Sequence, residues 1–91
     1  TDQETRQFLT AVLKLQTLEE AAAFFADIGT ISELKAMAQR LEVARLLQTG
    51  ATYAQIEGQT GASTATISRV KRFLHYGAGG YRLIFSRLDS Q

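Results

Sequence analysis

The chain has no cysteine, no proline and a single histidine among its 91 residues. Without cysteine there are no disulfides, no thiolate metal sites and no thiol nucleophile, and the composition fits a reducing compartment, so a cytoplasmic location is expected. Long apolar runs are also missing. The apolar stretches are short and broken by charge, and no basic region followed by an apolar run stands at the N-terminus, so neither a membrane span nor a signal peptide is expected. Convergent titratable groups, metal-site spacings and a phosphate-binding loop are absent too, and an enzyme is not expected. His75, beside Tyr76, reads as a side chain interacting with the negative end of a helix. The loop Gly77-Ala-Gly-Gly80 lacks the strand context of a dinucleotide fingerprint and reads as a hinge.

Acidic residues are missing from one region. The formal net charge is only +1, but residues 1–50 carry five bases against seven acids, whereas residues 51–91 carry five bases against Glu57 and Asp89. From Gly58 to Leu88 there is no acid, and Arg69, Lys71, Arg72, Arg82 and Arg87 stand unopposed. A one-signed segment of this kind suits either a solvated basic face or a polyanionic partner.

What is present is helical periodicity. Apolar residues make up 45% of the chain and recur at three and four rather than at two, which predicts an all-α fold of about six helices. The first runs from about Gln3 to Gln16. Thr17, three residues before Glu20, gives capping-box spacing for a second helix that reaches about Ile28, where Gly29 is expected to close it in the left-handed conformation. Ser32 before Glu33 marks the start of the longest helix, closed by Gly50. Thr52 caps a fourth helix ending near Gly61, Ser63 caps a fifth ending near Tyr76, and a last helix covers Tyr81 to Leu88. No repeat or linker divides the chain, so residues 1–91 read as one domain, with a helical dimerisation scaffold (1–50), a helix-turn-helix (52–73) and a C-terminal loop and helix (77–91). Phe8, Leu9, Val12, Leu13, Leu15, Leu18, Phe24, Phe25 and Ile28 are more apolar surface than two short helices bury alone, and a second copy of the chain would cover it.

The segment Thr52 to Phe73 carries the functional signal. Ile56 is placed as the core residue of the first helix, Gly61 permits the sharp turn, Ala62 tucks inward, Ser63 caps the second helix, and Ile67 and Val70 return to the core. Small and hydroxylated side chains on the outward side let a helix approach base edges, so Thr64, Ala65 and Ser68 are the base-side candidates, and Thr66 belongs to the DNA-binding set on either the groove-facing side or the flank. Arg69, Lys71 and Arg72 supply attraction to phosphate. Thr52, Tyr53 and Gln55 are phosphate-side candidates on the first helix, and Ser63 joins the set at the turn. Two readings from other classes remain: a helix-turn-helix that contacts protein, and the DNA-recognition domain of a larger transposase-like enzyme.

The run Ala36-Met-Ala-Gln-Arg-Leu-Glu-Val-Ala-Arg-Leu-Leu-Gln-Thr-Gly50 and the run Gly61-Ala-Ser-Thr-Ala-Thr-Ile-Ser-Arg69 resemble the central helix and recognition helix of the Trp repressor family. The similarity is greatest to its Trp-repressor-like YerC/YecD group. It implies an intertwined, all-α homodimer that reads double-stranded DNA as a bacterial transcriptional repressor, with a head at each end. It also implies that Arg40 and Arg69 are the pair that flanks bound tryptophan in that family. The family's glycine after the second arginine is Val70 here, and its serine four residues after that arginine is Phe73, two large apolar groups in the space an indole needs. Tryptophan is therefore not carried over and no cofactor is expected, any co-repressor being either different or missing, and an ion pair of Arg40 with Glu33 or Glu42 is the expectation for that residue.

Overall fold

The computed structural model describes residues 2–89 and, among them, contains six helices and no strand. They are α1 (Gln3–Leu13), α2 (Leu18–Ile28), α3 (Ile31–Gln48), α4 (Tyr53–Thr60), α5 (Thr64–Tyr76) and α6 (Gly80–Leu88). Thr1, Ser90 and Gln91 lie outside the described residues, so the end of the expected segment 77–91 does too. Two compact units follow one another along the chain, one ending at Leu34 and the other beginning at Lys35. No described helix is long and apolar enough to cross a membrane.

Local hydrogen bonds set the helix ends, and in four places the details differ from the expected ones. Asp2 caps α1 by accepting the Thr5 amide at 2.7 Å, a bond that holds its carboxyl below the usual range. The helix stops at Leu13 rather than Gln16, because the Lys14 and Leu15 amides tighten onto the carbonyls of Ala11 and Val12. Thr17 caps α2 as expected, accepting from the Glu20 amide. The return bond of Glu20, however, goes to the Gln16 amide at 2.9 Å. Gly29 is extended at φ −126° rather than left-handed, and its amide closes α2 on the Phe25 carbonyl at 3.1 Å. Thr30, not Ser32, starts α3: its hydroxyl accepts the Glu33 amide at 3.0 Å, and Glu33 accepts the Thr30 amide at 2.8 Å. Thr30 stands at the capping-box distance from Glu33, whereas Ser32 is its neighbour.

In the first unit, Phe8 stacks on Phe24 at 6.1 Å between centroids, and both meet Phe25 edge-on. No residue of α1 or α2 is buried. Leu13 and Leu18 remain about four-fifths exposed, so the aromatic cluster gathers the apolar face without covering it.

The second unit has a true core. Val43, Ala44, Ile56 and Ile67 are fully buried, with Leu46, Ala62, Val70 and Phe85 nearly so. These residues tie the second half of α3 to α4, α5 and α6. Burying aliphatic groups of this size stabilises by about 1.5–3 kcal/mol each. The Gln39 side-chain amide also donates to the carbonyl of Thr60 at 3.1 Å, fixing the end of α4 to α3. Replacing Ile67 by Ala should cost about 2–5 kcal/mol in urea unfolding at fixed protein concentration; an unchanged midpoint would show that this cluster does not hold α5 in place.

Candidate nucleic-acid interface

α4 and α5 form a helix-turn-helix whose start, turn and second start are each built from local chemistry. Thr52 and Gln55 make a reciprocal capping box at the head of α4. Gly61 takes φ +73°, and its amide closes α4 on the Glu57 carbonyl at 2.9 Å. That left-handed backbone disfavours any residue with a Cβ, although the space around Gly61 is open. Ala62 is buried beneath the turn. Ser63 then caps α5, accepting the Thr66 amide and donating to the Thr66 hydroxyl, each at 3.1 Å.

With Ile67, Val70 and Leu74 turned into the protein, the other side of α5 faces solvent. Thr64, Ala65, Ser68, Arg69, Lys71 and Arg72 are all exposed there, and Thr66 is half-buried. The sequence-selected residues of α5 therefore share one helix and, apart from Thr66, an accessible surface. Thr52, Tyr53 and Gln55 sit together in the first turn of α4, with Tyr53 half-buried. The side chains of Thr52, Gln55 and Ser63 are engaged in caps, so what they offer a ligand is chiefly their backbone and position.

Three contacts join the helices across this surface. The Tyr53 hydroxyl lies 3.3 Å from the Ser68 hydroxyl, and the Lys71 ammonium sits 5.9 Å from the centre of the Tyr53 ring. The Thr64 hydroxyl donates to Glu57 Oε1 at 2.5 Å. Sequence reasoning counted Glu57 only as a charge. An acid within α4 is visible in the sequence, but its pairing with a residue seven positions on depends on how the two helices cross.

Beside α5 lies an open pocket of about 520 Å³, lined by Met37, Arg40, Arg69, Phe73, Tyr81 and Ile84 among others. Both arginines singled out in the sequence reach it. The ion pair expected for Arg40 is not formed: Glu33 is engaged at the cap of α3, and Glu42 pairs with Arg45 at 2.7 Å, a bond that lowers the Glu42 carboxyl and raises the Arg45 guanidinium from their ordinary ranges. The guanidinium carbons of Arg69 and Arg72 lie 5.1 and 5.3 Å from the centre of the Phe73 ring, within cation–π range.

The profile of the Trp repressor protein family matches residues 3–89. The chain belongs to the Trp repressor family. It is 53% identical over 85 residues to the uncharacterised protein YerC of Bacillus subtilis (strain 168), covering 93% of this chain and 82% of YerC. A candidate Trp repressor from Staphylococcus aureus superposes with a TM-score of 0.94 at 42% identity, over 100% of this chain and 91% of that one. A TrpR-like protein from Eubacterium eligens ATCC 27750 gives 0.95 at 48%, over 98% and 92%. Family and fold together make the chain a member of the helix-turn-helix regulators. Arg40, Arg69, Val70 and Phe73 all line the open pocket, so Val70 and Phe73 border that space rather than filling it.

Because Ser63 is the sole side-chain cap found for α5, changing it to Ala should lower stability by about 1 kcal/mol. Urea unfolding at fixed protein concentration measures this, and a change indistinguishable from zero would mean that the core alone positions the start of α5.

Proposed function

We propose that this Trp repressor family member is a cytoplasmic bacterial transcriptional regulator, acting as a repressor, that binds double-stranded DNA as a homodimer through α4 and α5. The observation that carries the reading is the exposed side of α5. It offers small hydroxyl groups beside Arg69, Lys71 and Arg72, and none of the three has an ion-pair partner among the described residues. Small side chains admit a helix to the major groove, and unpaired cations hold it to the phosphates on either side. Support for the homodimer comes from α1 and α2, which bury none of their own residues. A second copy laid on residues 1–50 would remove that apolar face from water.

The reading includes no tryptophan co-repressor. Its support is the engagement of Arg69 and Arg72 with Phe73, which supplies from within the chain an aromatic ring for the arginine that the family uses on its ligand. On this proposal the head is set for DNA by its own side chains.

Purified protein incubated with a pool of random duplexes at two salt concentrations should retain a pseudo-palindrome with half-sites roughly 34–36 Å apart, more tightly at low salt. Sedimentation should give twice the chain mass, and added L-tryptophan should leave the affinity unchanged. Failure to retain any DNA would favour a protein-contacting helix-turn-helix instead. A marked gain in affinity with tryptophan would overturn the ligand-free part alone.

A further inference from the structure

Thr64 is the first residue of α5, and both it and Glu57 are exposed. A carboxylate accepts hydrogen bonds and donates none, so the proton in the bond between Thr64 Oγ1 and Glu57 Oε1 is the threonine's. A threonine hydroxyl has only that one proton. With that proton committed to Glu57, the hydroxyl keeps only its acceptor lone pairs for a ligand and loses the ambivalence that lets a free hydroxyl meet either a donor or an acceptor. The second carboxylate oxygen adds further acceptor capacity. At the head of α5 the pair therefore presents acceptors and no side-chain donor.

The charge of this pair is also uncompensated. Glu57 is the sole acid between Thr52 and Phe73, and among the described residues no ion pair neutralises it. A lone acid on an otherwise basic head is poorly placed for phosphate, which it repels. It is well placed for a partly positive amino group. In the major groove, the exocyclic amines of cytosine (N4) and adenine (N6) are donors, while guanine N7 and O6 and thymine O4 are acceptors.

Resting on the DNA-binding reading, we infer that Glu57, together with the Thr64 hydroxyl it orients, is a specificity element that selects an amino-bearing base, cytosine or adenine, beneath the N-terminal turn of α5. Guanine and thymine on the same strand at that position are rejected, because acceptor would face acceptor. The two-fold symmetry of a homodimer repeats the requirement once in each half-site.

The test is selection from a random duplex pool with the wild type, Glu57→Gln and Thr64→Val, with circular dichroism melting curves to verify that both variants fold. The wild type should enrich cytosine or adenine at one symmetric pair of positions. In Glu57→Gln, whose amide can donate, the discrimination at that pair should fall by about tenfold while the rest of the site is kept, the scale of one base-edge hydrogen-bond pair. Thr64→Val should lose discrimination at the same positions. A position profile unchanged from wild type in either variant overturns the inference while leaving DNA binding standing. A wild type that retains no DNA overturns both.

Discussion

The structure depends on the contact between the second half of α3 and the inner sides of α4 and α5, where Val43, Ala44, Ile56 and Ile67 lose all contact with water. One helix has one inner side. Once Ile67, Val70 and Leu74 are committed to the core, the positions between them must face outward, and these carry the hydroxyls and the cations of the proposed head. Packing thus decides which residues are available for chemistry. Gly61 and Ser63 serve the same end by turning the chain sharply enough for Ile56 and Ile67 to reach one cluster.

The two units differ in how far each satisfies its own apolar groups. The unit beginning at Lys35 closes a core with no buried side-chain nitrogen or oxygen left unpartnered among the described residues. The unit ending at Leu34 gathers three phenylalanines into mutual contact yet leaves Leu9, Leu13, Leu18 and Ile28 more than half exposed. Exposed apolar side chains scattered singly are ordinary, whereas a shared face of this extent on paired helices marks a surface meant for covering. The second unit also leaves Tyr76, Leu83 and Leu88 largely uncovered, so what separates the two is the buried core, and that difference underlies the proposed division into a head with its own core and a scaffold completed by a second chain.

The features legible in the sequence were those written in local spacing. Thr17, Thr52 and Ser63 cap helices because a hydroxyl three residues before an amide can close on it whatever the rest of the chain does. Gly61 was legible because a sharp turn between two apolar segments needs a left-handed residue. Where two signals competed locally, the reading slipped: Thr30 and Ser32 both precede Glu33, and the one at box spacing won. The pairings that give the candidate site its character cross between or along helices. Glu57 with Thr64 and Tyr53 with Ser68 need the crossing of α4 and α5. The loss of the expected Arg40 ion pair follows from Glu42 having Arg45 nearer at hand on its own helix. A single sequence shows the presence of such charges but not their choice of partner.

Cations and one acid divide the labour on the proposed reading surface. Arg69 and Arg72 hold Phe73, Lys71 leans toward Tyr53, and Glu57 orients Thr64, so several of the exposed groups are already positioned before any ligand arrives. Such preorganisation lowers the ordering cost of binding. The central claim is that the outward side of α5 is where duplex DNA docks, and the most direct measurement is the amide shift map of isotope-labelled protein titrated with a short mixed-sequence duplex at low salt. The account predicts that the largest shifts fall on residues 63–72 and the first turn of α4 while α1 and α2 stay still; shifts centred on α1 and α2, with α5 unmoved, would contradict it.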